Sequence, residues 1–126
     1  MSTNASLASI AKNEEFQTVF QKGKSAANKQ FVIYTLENQG QATFRIGISA
    51  SKKIGNAVTR NKVKRLLKEA IAAIEDRIKP HLDIIVIVRP GVEEMPLASI
   101  QGSLMHALKR AKAVKAVDIH NEKEVR

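Results

Sequence analysis

The sequence predicts a mixed α+β fold with the element order α-β-β-α-β-α. Two patterns predict it: three segments repeat apolar residues at helical spacing, and three others are rich in β-branched and apolar residues. The chain has 126 residues, of which 44% are hydrophobic, enough for one core. We therefore expect a single domain over residues 1–126, with residues 1–12 and 115–126 flexible at its ends.

The first helix is expected between Asn13 and Gly23. Asn13 suits an N-cap position, because its side chain can accept a hydrogen bond from a free backbone N–H of the first turn. Phe16, Val19 and Phe20 follow at a spacing that places them on one helix face. Gly23 is typical of a helix C-terminus.

Two strands follow this helix. Residues 30–36 are rich in β-branched and aromatic types, and in residues 44–49 apolar side chains alternate with polar or small ones. Turn-forming residues lie between them at 38–40. We expect the two strands to pair as a hairpin.

The second half of the chain predicts a helix, a strand and a helix. Residues 58–78 repeat apolar side chains every three or four positions, up to the helix-breaking Pro80. Leu82–Val88 is almost continuously apolar, which is typical of a strand buried on both faces in the middle of a sheet. Pro96 can open the last helix, whose apolar stripe continues to Ala111.

The charge is strongly positive and unevenly distributed. The formal net charge is +9, and residues 51–69 contain seven lysines and arginines but one acidic residue. This excess favours a polyanionic partner, either a nucleic acid or an anionic membrane surface. No apolar run approaches membrane-spanning length, no secretory pattern opens the sequence and the apolar helix faces are all needed for one core. We therefore expect an RNA-binding, cytoplasmic protein without a membrane partner.

The second helix concentrates these cations on one side. At 100° per residue its polar side chains fall within an arc of about 100°, opposite the apolar face around Val63. Like charges four residues apart destabilise a helix, so a bound polyanion explains the run better than solvation alone does. The helix residues in this arc are Asn61, Lys64, Arg65 and Lys68. Arg60 and the loop residues Lys52 and Lys53 extend it toward the helix N-terminus, where free N–H groups also attract phosphate.

Two further features each allow two interpretations. Phe16, Phe20 and Tyr34 could form a surface on which unpaired bases stack, but the residues alone favour an ordinary core role. Gly55, in the lysine-rich loop, could permit close approach of RNA or only a turn with positive φ, and the turn is favoured for a single glycine.

Protein-based catalysis finds little support. The histidines, His81, His106 and His120, lack the spacing of metal ligands, and no cysteine is present. The adjacent carboxylate pairs project about 100° apart on a helix and do not converge. No serine lies in a nucleophile-elbow motif. We expect no catalytic or metal-binding residue on the protein.

Residues 51–65 (Ser-Lys-Lys-Ile-Gly-Asn-Ala-Val-Thr-Arg-Asn-Lys-Val-Lys-Arg) closely resemble the signature of the bacterial ribonuclease P protein component. That family carries a lysine-glycine loop, Ala-Val, and an Arg-Asn-x-x-Lys-Arg core on a helix. The resemblance covers nearly the whole chain, because residues 13–23, 31–36 and 44–49 look like the family's opening helix and its next strands. The family often has arginine at the positions of Lys62 and Lys68, where lysine lacks the planar bidentate fork.

The resemblance implies an α/β sandwich like the second domain of ribosomal protein S5, with a left-handed β-α-β crossover; the residues alone would favour a right-handed one. It implies a subunit of the endoribonuclease that removes the 5′ leader from precursor tRNA. In that ribonucleoprotein the RNA subunit holds the catalytic Mg²⁺, and the protein binds this RNA and the leader and lowers the Mg²⁺ requirement. No obligate protein partner is expected. The alternative is a general basic RNA-binding or ribosomal-type protein without a role in cleavage.

The same resemblance assigns roles to particular side chains. The RNA-binding surface comprises Lys52, Lys53, Arg60, Asn61, Lys64, Arg65 and Lys68. The cleft for the leader comprises Phe16, Phe20 and Tyr34, so for these three rings the family favours stacking over a core role.

Overall fold

A computed structural model describes residues 8–10 and 13–115. In chain order the helices and strands are β1 (Ala8–Ser9), α1 (Asn13–Lys22), β2 (Lys24–Ala27), β3 (Phe31–Glu37), β4 (Arg45–Ser49), α2 (Ala57–Ala72), β5 (Leu82–Val88) and α3 (Leu97–Arg110). Short 3-10 turns lie at Lys52–Ile54, Glu75–Arg77 and Val92–Glu94. The mixed α+β class and the six predicted elements are confirmed.

Two strands were not predicted, and both lie at edges of the sheet. β2 contains only lysine, serine and alanine and is extended because it pairs with β3. β1 pairs with β4, and the Ile10 N–H donates to the Ile46 carbonyl at 3.0 Å. Residues 8–10 are thus paired with the sheet; the flexibility expected for residues 1–12 stays a prediction, and residues 1–7 and 11–12 lie outside the described residues.

The chain continues to pack against the domain after α3. Ala113 and Val114 are buried, and the Lys115 N–H donates to the Arg77 carbonyl at 2.8 Å. The segment expected to be flexible is 115–126; within it the backbone of Lys115 is hydrogen-bonded, and residues 116–126 lie outside the described residues. α2 ends at Ala72 rather than at residue 78, because a 3-10 turn at Glu75–Arg77 replaces its last turns.

The strands form one sheet in the order β1-β4-β5-β3-β2. β5 lies at its centre, parallel to β4 and antiparallel to β3, which confirms the central position predicted for Leu82–Val88. The predicted hairpin between residues 30–36 and 44–49 is wrong, since β5 separates the two strands. The physical reason is that β5 is apolar on both faces, so it is buried at the centre of the sheet, where α1 covers one face and α2 and α3 cover the other; in that place it separates β3 from β4.

The main core lies between one face of the sheet and helices α2 and α3. Phe31 and Ile33 of β3 and Ile84 and Val86 of β5 point into it. The helices contribute Val63, Leu67, Ala70 and Ile71 from α2 and Ile100, Leu104, Ala107 and Leu108 from α3. These residues follow the apolar stripes that the sequence predicts. The left-handed β4-α2-β5 crossover stays a prediction.

The shorter helix α1 packs on the opposite face of the sheet. Val19, Ile10 and Ile85 are buried there, and a rim of half-buried apolar side chains surrounds them. Since α1 has ten residues, it covers only part of this face. The side chains of the rim therefore remain partly open to solvent.

Gly23 lets α1 end directly against the sheet. A Cβ atom at this position would overlap the Thr35 carbonyl oxygen and lie 2.6 Å from the Val19 carbonyl oxygen, and neither backbone group can move freely. We expect Gly23→Ala to lower the free energy of unfolding by about 1–3 kcal/mol, measured by urea denaturation. Gly102→Ala is the matched control: nothing lies within 4 Å of its added Cβ, and this helical site should gain about 0.5–1 kcal/mol. Equal effects of the two substitutions would contradict this explanation.

A network of ion pairs joins α1 to strands β4 and β5 of the sheet. Arg45 donates from Nε and Nη2 to the two carboxylate oxygens of Asp83, at 3.0 and 2.8 Å, and from Nη1 to Glu15 at 2.9 Å. Burial opposes ionisation of Asp83, but the hydrogen bonds from Arg45 and Asn38 outweigh it and hold its pKa below the usual value. Asp83 is therefore charged in the folded protein, and its pairing stabilises the fold.

Replacing Asp83 by asparagine should lower the free energy of unfolding at pH 7 by about 1.5–3 kcal/mol. The folded pKa of Asp83 lies below the unfolded value of about 3.9. Its contribution is therefore present above about pH 4 and is lost as the pH falls through the folded pKa. Urea denaturation at descending pH should show the two proteins converging below about pH 4. A gap that stays constant there would contradict the assignment.

Candidate nucleic-acid interface

The loop after β4 holds two lysines outward in a fixed turn. Ser51 caps the 3-10 turn by accepting a hydrogen bond from the Lys53 N–H at 3.3 Å, and both Lys52 and Lys53 are exposed. Gly55 ends the turn with a φ of 149°, a conformation that side-chain-bearing residues rarely adopt. The turn interpretation of Gly55 is confirmed, and it fixes the direction in which the chain enters α2.

The N-terminus of α2 lacks an acidic partner. Asn56 caps the helix by accepting from the Thr59 N–H at 2.9 Å, and the first turn contains no acidic residue. The positive end of the helix dipole therefore lies beside Arg60 and the loop lysines with no carboxylate in that turn to offset it. This arrangement favours the approach of an anion.

The predicted polar face of α2 is a single surface. Asn61, Arg65 and Lys68 are exposed and Lys64 is half-buried, and with Glu69 these side chains line one shallow depression. Within residues 8–10 and 13–115, none of the three cations lies within ion-pair distance of a carboxylate. We call Asn61, Lys64, Arg65 and Lys68, together with Arg60, Lys52 and Lys53, the cationic surface.

Arg60 differs from the other members of this surface. Its side chain is only half-exposed, and its Nε is buried with no hydrogen-bond partner in the described part of the chain. A buried donor without a partner costs about 1–3 kcal/mol. Arg60 thus lies at the border between the cationic surface and the protein interior.

Val58 belongs to the same turn and was not singled out from the sequence. Its side chain is 78% exposed, which is unusual for a large aliphatic residue. The helical wheel could have found it, because Val58 lies about 140° from Val63 and therefore off the apolar face. An apolar side chain in the first turn adds a non-ionic contact surface beside the cations.

The three predicted aromatic residues lie together on the other face of the sheet. The ring centroids of Phe16 and Phe20 are 6.2 Å apart, those of Phe20 and Tyr34 are 4.9 Å apart, and both pairs are edge-to-face. All three side chains are half-buried. They form the rim of the small core around Val19 and each stays partly exposed to solvent; their stacking on RNA bases stays a prediction. We call them the aromatic cluster.

Gly47 makes room for this cluster. A Cβ atom on Gly47 would lie 2.7 Å from Cζ of Phe16, so the ring lies directly over the backbone of β4. The alternation of residues 45–49 places Gly47 on the α1 side of the sheet. The absence of a side chain at Gly47 therefore lets the Phe16 ring lie this close to the sheet.

The other candidate chemical groups are scattered. Among residues 8–10 and 13–115, no three histidine, cysteine, aspartate or glutamate side chains are grouped closely enough to hold a metal ion. His106 hydrogen-bonds through Nδ1 to the amide of Asn28 at 3.1 Å, and His120 lies outside the described residues. In the same part of the chain, no helix combines the length and apolarity that a membrane span requires.

The family model described as Ribonuclease P matches residues 5–112 of this chain. A similar curated protein is the ribonuclease P protein component of Brevibacillus brevis, which is 59% identical over 114 residues, 90% of either chain. The ribonuclease P protein component of Bacillus cereus strain Q1 is 51% identical over 102 residues, which is 81% of this chain and 89% of the relative.

Solved structures resemble the fold as well as the sequence. The RNase P protein of Staphylococcus aureus superimposes with a TM-score of 0.79 at 48% identity, covering 85% of this chain and 97% of that one. The RNase P protein of Thermotoga maritima gives a TM-score of 0.74 at 31% identity, over 80% and 97% of the two chains. The similarity therefore spans most of the length of each protein.

Proposed function

Because the chain belongs to the bacterial ribonuclease P protein family and is a subunit of that enzyme of tRNA 5′ processing, we propose that it acts by binding two RNAs. One is the ribonuclease P RNA and the other is the 5′ leader of precursor tRNA. The bond is cut in the RNA subunit, which holds the Mg²⁺ ions. The complex is thus an endoribonuclease whose protein supplies binding and charge, in the cytoplasm.

The observation that carries the proposal is the cationic surface. Six of its seven residues are positively charged: Lys52, Lys53, Arg60, Lys64, Arg65 and Lys68. The three on the polar face of α2 lack an ion-pair partner within the described chain. Lysine and arginine contacts to phosphate give affinity without reading sequence. If about six phosphates are neutralised, log affinity should fall with log salt at a slope of roughly −4 to −5.

The aromatic cluster supplies a different contact. Single-stranded RNA is bound mainly by stacking its bases on aromatic side chains, and Phe16, Phe20 and Tyr34 lie together with part of each side chain exposed. Only the precursor carries the leader, and mature tRNA lacks it. Binding here would therefore favour the substrate over the product.

Charge explains how such a protein lowers the Mg²⁺ requirement. The catalytic RNA and the precursor are both polyanions, and they must approach each other closely. Cations fixed on α2 and its preceding loop replace part of the screening that free Mg²⁺ would otherwise provide. This effect needs no protein group to touch the bond that is cut.

A binding comparison separates this function from that of a general basic RNA-binding protein. The full-length protein is titrated at physiological salt with ribonuclease P RNA and with an unrelated structured RNA of the same length. We expect clearly tighter, saturable binding to ribonuclease P RNA. Equal affinities would favour the general RNA-binding alternative.

A further inference from the structure

A second basic region lies at the other end of the sheet, where α1 and α3 end and β5 begins. Lys22, Lys24, Lys79 and Lys112 line a depression there, and Glu37 is the acidic residue among its lining side chains. We call these four lysines the distal lysines. The length of β5 separates them from the Lys52–Gly55 loop, about 20 Å along the strands.

The distal lysines are not explained by ion pairing. None of them lies within 4.0 Å of a carboxylate oxygen in the part of the chain that the structure describes. The helix dipole accounts for Lys22 and Lys112, which lie at the ends of α1 and α3. It does not account for Lys24 on β2 or for Lys79 in the loop before β5. Four lysines that converge around one carboxylate, with no ion pair to it, leave a net positive charge that favours a bound anion.

Lys112 is held in a strained conformation at this place. α3 ends in a Schellman motif, in which the Ala113 N–H donates to the Leu108 carbonyl at 2.9 Å and the Lys112 N–H to the Lys109 carbonyl at 3.0 Å. Lys112 occupies the left-handed position of this motif with a φ of 59°, where glycine is the usual residue. A side chain retained against backbone strain points to a use for that side chain.

The depression adjoins the aromatic cluster. Leu36 lines the depression and also packs in the same small core as Phe20 and Tyr34. Lys22 follows Phe20 by two residues on α1. Lys24 on β2 pairs with Thr35 and shares its face of the sheet, the α3 side, where it lies close to Lys112. The depression therefore spans the end of the sheet, and an RNA strand that leaves the aromatic cluster past Leu36 and Lys22 meets Lys24 and Lys112 by passing around that end.

We propose that the distal lysines bind phosphates of leader nucleotides farther from the cleavage site than those on the aromatic cluster. The inference rests on the proposed leader binding and extends it. Lysine ammonium groups act as point charges on phosphate and do not read bases. The subsite is therefore sensitive to leader length and indifferent to leader sequence.

Lys112→Gly tests the proposal, because its effects on stability and on binding should have opposite signs. Glycine relieves the left-handed strain, so the Tm should be unchanged or higher by up to about 4 °C. Holoenzyme affinity is measured for precursors whose leaders lengthen one nucleotide at a time. We expect a loss of about two- to fivefold for long leaders and none for the shortest leaders or for mature tRNA.

Two further variants complete the experiment. Lys29→Ala removes one charge from an exposed site outside the depression and should leave the dependence on leader length unchanged. Lys22→Ala with Lys24→Ala should reproduce the long-leader loss even if Lys112→Gly folds poorly. Unchanged affinity in the distal-lysine variants overturns the proposal, as does an equal loss for every leader length, which would assign the lysines to another RNA contact.

Phe20→Ala, measured in parallel, separates this proposal from the function on which it rests. If Phe20→Ala weakens precursor binding and the distal-lysine variants do not, only the distal subsite is wrong. If neither class of variant distinguishes precursor from mature tRNA, leader binding on this face is itself wrong.

Discussion

Replacing Lys64 and Arg65 together by alanine is expected to weaken assembly with ribonuclease P RNA by about tenfold and to flatten its salt dependence. Both residues lie on the polar face of α2, and neither has an ion-pair partner in the described residues. Removing two phosphate contacts should reduce the magnitude of the slope of log affinity against log salt by about 1.5–2. The measurement is the equilibrium affinity at a series of salt concentrations.

The matched control for this pair is Lys29→Ala with Lys115→Ala. It removes the same charge from two exposed positions away from the cationic surface, so a general loss of attraction would appear in both variants. We expect the control to keep nearly the whole slope. An unchanged slope in the Lys64 and Arg65 variant would contradict the assignment of α2 as the phosphate-binding helix.

The second large effect is expected at Phe20. Its ring lies between Phe16 and Tyr34, and loss of one stacking base contact is worth about 1–3 kcal/mol. Phe20→Ala should therefore weaken binding of precursor tRNA by the holoenzyme by about five- to a hundredfold. Binding of mature tRNA, measured in the same assay, should change little.

Phe20 also packs against the small core, so a control for folding is needed. Phe20→Leu keeps most of the apolar volume but removes the aromatic face. It should hold the Tm near that of the wild type and still lose part of the precursor affinity. Equal weakening for precursor and mature tRNA in the alanine variant would point to a structural role instead.

The sequence predicts the elements of this fold better than it predicts their pairing. The continuous apolar run of Leu82–Val88 indicates a central strand because both of its faces must be buried. The run does not by itself show that this central strand lies between β3 and β4 and so prevents them from forming a hairpin. That place depends on long-range packing, which local spacing does not encode. β2 was missed because its small and charged residues become a strand only through pairing with β3.

The candidate sites differ in the same way: those within one element can be predicted from the sequence, and those that combine several elements cannot. The polar face of α2 follows from helical periodicity alone, since residues three and four apart share a face. The aromatic cluster needs α1 and β3 to be brought together, so the sequence could only pose the alternatives for Phe16, Phe20 and Tyr34. The distal lysines come from four separate segments, and the strain at Lys112 is visible only in the backbone angle.

The most direct test of this account is cleavage of a precursor tRNA at low Mg²⁺ by a bacterial ribonuclease P RNA, with and without this protein. The account predicts that the RNA alone is nearly inactive, that the protein alone does not cut, and that the two together cut correctly at the 5′ end of the mature tRNA. Cleavage by the protein alone would show an active site on the protein. Failure of the protein to assist the RNA would contradict its role as the subunit that binds the RNA and the leader.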